Sequence, residues 1–209
     1  MTHCKPFIAA CVVLSILLGF SLGLAQPYRD QMPQPSSEIN RKLMTYAQSS
    51  DFEGFEQTLP SIKPLLDAFL AKFGAKVEFN MRPAINSRDK ARLIKATQQL
   101  IYLDLKDLMN LTLESMGLST DKATVQMKSA YLNYLILSPI IEKTYFPSDQ
   151  KVKNNFRTAV LSLENYAASS KGKVATPEHT GSLDQNKKFI GQLMIEIDLE
   201  LIQTLLTTQ

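Results

Sequence analysis

The chain has 209 residues, 44% of them hydrophobic, and 23 Lys and Arg against 20 Asp and Glu, a net charge of +3. So small a charge, evenly mixed along the chain, excludes a polybasic surface for nucleic acid or for membranes. The cysteines, Cys4 and Cys11, both lie near the start, which leaves the remainder without a disulfide, a thiolate nucleophile, a cysteine-ligated zinc or an attached haem.

Residues 1–25 read as an export signal. Lys5 supplies the positive start, Phe7 to Leu22 is an uncharged apolar core, and Gly23-Leu24-Ala25 places small residues for cleavage before Gln26. Cleavage there leaves 184 residues and a net charge of +2. The core is long for a signal, so an uncleaved anchor is the competing reading. Once the signal is cleaved, no stable membrane insertion is expected. An exported chain without cysteine fits a bacterial periplasm better than a eukaryotic secretory route, and secretion is the other exported location.

Residues 26–36, with Pro27, Pro33 and Pro35, read as a flexible tether, and residues 37–209 as a single helical-bundle domain. Ser36 or Ser37 caps a first helix carrying Ile39, Leu43, Met44 and Ala47. From Phe52 to Phe73 the residues Phe52, Phe55, Leu59, Ile62, Leu66, Phe69 and Phe73 recur at helical spacing. Pro60 and Pro64 predict a kink or break inside that stretch, and Gly74 ends it. Ala75 to Asn86 reads as a connector with a short extended piece, because Val77 and Phe79 alternate with polar residues.

Between Ser87 and Gly117 there is neither Pro nor Gly. The spacing predicts one helix of about 30 residues, roughly 45 Å long, around which the shorter helices pack. Leu93, Leu100, Ile101, Leu108 and Leu111 share its apolar arc, with Arg92, Lys95, Gln99, Lys106 and Asn110 opposite. Asp104 interrupts that arc, and a carboxylate so placed must be paired or hydrogen-bonded.

A further helix spans about Asp121 to Phe146, capped by Ser119 or Thr120 and bent at Pro139. Tyr131, Tyr134 and Tyr145 are expected to point inward, with hydroxyls that need partners. Pro147 closes it, and Ser148 caps the next, striped by Val152, Phe156, Ala159, Val160, Leu163, Tyr166 and Ala167. Ser169 to Gly181 is a loop holding His179, the only histidine beyond the leader; it reads as a plain connection or a lid. Ser182-Leu183-Asp184-Gln185 is a capping box. The helix it opens runs to about Leu206. It is apolar nearly all round, apart from a face of Gln192, Glu196, Glu200 and Gln203, and is expected to be central. Asp198 again interrupts the apolar arc.

The fold expected is therefore all-α: an antiparallel bundle of five or six helices around the helix at about 87–117. Its notable chemistry is Asp104 and Asp198 with Tyr131, Tyr134 and Tyr145. These either fix helix register through hydrogen bonds or line a site for a small polar ligand or a hard cation, metal candidates in that sense. No catalytic residue and no cofactor is implied. Glycine-rich phosphate loops, dinucleotide fingerprints and Cys/His clusters are absent, and Met109, Met127 and Met194 read as gap-filling core rather than haem ligands. The expectation is an exported, non-enzymatic binding or accessory protein acting on an unknown protein partner or small ligand. The alternative is metal-ion or small-ligand handling through the carboxylate–tyrosine set.

Overall fold

The computed structural model describes residues 27–170 and 182–207. The segment read as an export signal, His179 and most of the Ser169–Gly181 loop lie outside the described residues. Among the described residues there are helices and no strands: α1 (Pro27–Asp30), α2 (Ser36–Ser49), α3 (Phe52–Thr58), a 3₁₀ turn (Leu59–Ile62), α4 (Lys63–Phe73), α5 (Val77–Asn86), α6 (Lys90–Ser115), α7 (Thr120–Thr144), α8 (Phe146–Ser170) and α9 (Leu183–Thr207). None of them is long and apolar enough to cross a membrane.

The long helix is α6, shorter at both ends than Ser87–Gly117. Its cap is Asp89, whose carboxylate accepts from the Arg92 amide at 3.0 Å. Ser87 instead ends α5, its hydroxyl donating to the Pro83 carbonyl at 2.8 Å. The segment 77–86 is helical rather than extended. Val77, Met81, Ala84 and Ile85 are buried at helical spacing, whereas Phe79 is 70% exposed. The alternation of Val77 with Phe79 carried no weight because only one of the two is covered. Pro83 costs α5 one backbone bond, and α5 continues three residues past it.

The break at Pro60 and Pro64 is present as the 3₁₀ turn between α3 and α4, and Gly74 closes α4 in the left-handed conformation at φ 62°. Helix α7 passes through Pro139 without ending. Tyr145 is its extended C-cap, and Pro147 lies in the first turn of α8 rather than behind α7. The capping box opens α9 as expected: the Ser182 amide donates to Gln185 Oε1 at 2.8 Å and the Gln185 amide to Ser182 Oγ at 3.3 Å.

Helices α6 to α9 run antiparallel in succession. Asp104 meets Asn133 across α6/α7, Tyr134 meets Phe156 across α7/α8, and Glu200 meets Lys151 across α8/α9. Helix α9 returns toward α6, with Gly191 beside Leu113 and Asp198 beside Tyr102. These four enclose one apolar core that includes Met109, Met127 and Met194. The short helices α2 to α5 wrap the first half of α6 around a second core built on Phe55, Ile62, Phe69 and Met81. Ile94 and Tyr102 pack against both cores, so α6 is the shared wall.

Helix α9 is not central. Ile190, Leu193, Met194, Ile197 and Leu201 are buried, but Ile195 and Leu199 are 62% and 53% exposed. Its polar face explains this orientation. Glu200 accepts from Ser148 and Lys151, and Glu196 from Asn155, so the acids turn toward α8 and the apolar pair is left outside.

Candidate functional site

The carboxylates and tyrosines singled out in the sequence do not form one cluster. Asp104 and Asp198 share no hydrogen-bond partner, and no tyrosine of the three bonds either of them.

Asp104 is fully buried. Its Oδ1 accepts from Arg29 Nη2 at 2.7 Å, and its Oδ2 from Asn40 Nδ2 at 2.8 Å and Asn133 Nδ2 at 2.6 Å. Asp107, one turn on and equally buried, accepts from Arg29 at 2.7 Å, Lys72 at 2.6 Å and the Tyr28 hydroxyl. Two carboxylates thus face two cations, and every carboxylate oxygen is occupied. Burial pushes the Asp107 carboxyl up, but Arg29, Lys72 and Tyr28 together hold it below the usual range. Burial raises the Tyr28 hydroxyl further than Arg29 lowers it, so it remains a donor. Arg29 comes from the segment read as a tether. Residues 27–30 form a helical turn instead, and Arg29 ties it to α6.

Tyr134 is fully buried and donates to Asp149 Oδ1 at 2.6 Å, beside Ser138 at 2.7 Å, while Lys153 reaches Asp149 Oδ2 at 2.6 Å. Tyr131 stacks on Phe156 with ring centroids 5.3 Å apart. Tyr145 is 58% exposed and turned away from the core, because it sits at the extended C-cap of α7 rather than within the helix. No group of three or more His, Cys, Asp or Glu among the described residues is arranged to hold a metal ion.

Asp198 lies elsewhere, at the α6/α9 seam. Its Oδ1 accepts from the Tyr102 hydroxyl at 2.7 Å and its Oδ2 from Lys106 Nζ at 2.8 Å. Lys106 also stands 5.8 Å from the centre of the Tyr102 ring. Burial, then the bond to Asp198, pushes the Tyr102 hydroxyl up, so it stays protonated at neutral pH.

Beside this clasp opens the groove we take as the candidate site. It has a volume of about 750 Å³ and is walled by Ile94, Tyr102 and Leu103 of α6, Ile140 of α7, and Ile202 and Leu205 of α9. The size falls within the range usual for small-molecule sites. Its rim carries Arg92, Lys95, Gln98 and Gln99. Both cations are exposed, and no carboxylate among the described residues forms an ion pair with either. Arg92 and Lys95 lie on the outer face of α6, as their helical spacing predicts, whereas the groove has no local signature in the sequence. Its walls come from three separate helices, with Ile94 and Ile202 lying 108 residues apart in the chain.

No protein-family model matches the chain, and no curated protein and no solved structure matches it either.

Proposed function

We propose that this is an exported, non-enzymatic binding protein whose α6/α9 groove holds an amphiphile with an apolar tail and an anionic head, such as a long-chain carboxylate. The observation that carries the reading is the groove itself, apolar along its walls and basic at its rim. Ile94, Leu103, Ile140, Ile202 and Leu205 offer a surface whose burial favours a hydrocarbon chain by about 25 cal/mol per Å² covered. Arg92 and Lys95 supply charge at one edge, where a carboxylate keeps partial contact with water. The leader pattern at residues 1–25 supports export. Metal handling has less to support it, because Asp104 and Asp198 each spend their oxygens on side-chain donors of this chain.

Calorimetric titration of the purified protein with dodecanoate and with dodecanol, both below their aggregation limits, tests this reading. Dodecanoate is expected to bind more tightly than the alcohol. Replacing both Arg92 and Lys95 by Ala is expected to weaken dodecanoate about tenfold, ~1.4 kcal/mol for two exposed charge contacts, and to leave dodecanol unchanged. Equal affinity for acid and alcohol, or no binding of either, refutes it.

A further inference from the structure

Helices α6 to α9 alternate in direction, so the start of α6, the end of α7, the start of α8 and the end of α9 meet at one end of the bundle. The groove lies at that end, between the first half of α6, Ile140 near the end of α7, and Ile202 and Leu205 near the end of α9. The same end carries the turn from α7 into α8, where residues 142–147 are exposed without interruption. Two adjacent aromatic side chains stand on it: Tyr145 is 58% exposed and Phe146 55%. We propose that this end of the bundle docks on an anionic lipid bilayer, with Tyr145 and Phe146 entering the interface beside the groove.

The turn is fastened on both sides of the aromatic pair. The Tyr145 amide donates to the Ile141 carbonyl at 2.7 Å, and the buried Ser148 hydroxyl donates to Glu200 at 2.6 Å, two residues before Ile202 in the groove wall. The backbone therefore holds both rings out at a projecting tip. A protein partner would need a pocket shaped to that tip, whereas a bilayer yields to it. Tyr pairs an apolar ring with a hydroxyl that stays wet, the combination that places it at membrane–water interfaces. Covering both rings removes apolar area from water without spanning the bilayer.

Charge selects an anionic surface. Around the tip and the groove rim stand Arg88, Lys90, Arg92, Lys95 and Lys143, against Asp89 and Glu142. All five cations are exposed, and among the described residues none forms an ion pair. Asp89 is engaged as the cap of α6. The exposed acids Asp51, Glu53 and Glu56 follow α2, which meets α6 through Asp104. Helix α9 meets the opposite side of α6, through Tyr102 and Lys106, so those acids lie across α6 from the groove. The basic excess is modest, unlike the polybasic surface that composition excludes: the fold gathers it from two separate turns, and the rings supply the anchor. Docking stands on the tip and its charge. That it passes an amphiphile between bilayer and groove rests on the reading of the groove given above.

The test is cosedimentation of the purified protein, after leader cleavage, with vesicles of phosphatidylglycerol and phosphatidylcholine in equal parts and with vesicles of phosphatidylcholine alone. Binding to the mixed vesicles is expected, at least about tenfold tighter than to the neutral ones and weakened by salt. Tyr145→Ser with Phe146→Ser is expected to weaken it at least about tenfold, with the melting temperature and dodecanoate affinity unchanged, since both side chains are exposed and neither lines the groove. Lys143→Glu is expected to weaken it about tenfold as well. Leu118→Ser, at the opposite end and 91% exposed in the native chain, is expected to change nothing. No binding to the mixed vesicles, full binding by the Tyr145→Ser, Phe146→Ser chain, or an equal loss with Leu118→Ser would overturn the proposal. So would a dimer in solution that the Tyr145→Ser, Phe146→Ser change separates, which would make the tip a contact between copies. A native chain that binds dodecanoate but not vesicles refutes the docking alone, and one that binds vesicles but not dodecanoate supports the docking and refutes the groove reading.

Discussion

Replacing Arg29 by Ala removes the one side chain that bridges Asp104 and Asp107, and it does so from a four-residue helix outside the main bundle. Both carboxylates are fully buried, while the guanidinium side chain is 18% exposed. Breaking a buried ion pair from one side costs on the order of 3–5 kcal/mol, because the charge left behind has no water. Here the loss belongs at the low end, about 3 kcal/mol. Asp104 keeps Asn40 and Asn133, and Asp107 keeps Lys72 and Tyr28. For a chain of this size that corresponds to a fall in melting temperature of about 6–12 °C, readable by circular dichroism at 222 nm at pH 7. The deficit is expected to shrink as the pH falls, because a buried carboxylate without its cation takes up a proton more readily than the paired one. Adding Asp107→Asn to the Arg29→Ala chain is expected to recover part of the loss. A melting temperature within about 2 °C of the native chain at pH 7, under 1 kcal/mol by the same conversion, would refute the claim that the 27–30 turn is fastened to α6 through this cluster.

Two more predictions follow from the other buried groups. Tyr134→Phe removes a hydrogen bond to a buried carboxylate and should cost about 2 kcal/mol, about 4–8 °C, whereas Tyr131→Phe, whose ring stacks on Phe156, should change stability by under about 0.5 kcal/mol; equal effects in paired urea melts would contradict the assignment. Acid should unfold the protein progressively below about pH 4. Lys153, Tyr134 and Ser138 hold Asp149 down against its burial, Arg29 and Lys72 do the same for Asp107, and Lys151 and Ser148 lower Glu200. A group with a lowered folded pKa contributes stability above its unfolded pKa, and that contribution is lost as pH falls through the folded one. A melting temperature flat from pH 6 to pH 3 would show that these ion pairs contribute nothing.

The local pattern alone was sufficient for the helices. Apolar residues at helical spacing, with Ser119, the Ser182–Gln185 box and Gly74 at the ends, specify α4, α7 and α9 because caps and periodicity act over one or two turns. The same pattern identified Asp104 as anomalous, since a charge within an apolar arc is visible without knowing what lies opposite. Partners were not visible. Asp104 is satisfied by Arg29, Asn40 and Asn133, which lie 75, 64 and 29 residues away in sequence. Asp107 escaped notice because both flanks of α6 are covered, and a single apolar arc does not reveal a helix buried on both sides. Tertiary structure alone decided three further matters: that α9 turns its acids inward to meet Lys151 and Ser148, that 77–86 coils instead of extending, and that α6 and α9 part to leave a groove. Each depends on which surfaces remain to be covered once the other helices have packed, a sum over long-range contacts that no short window of residues contains.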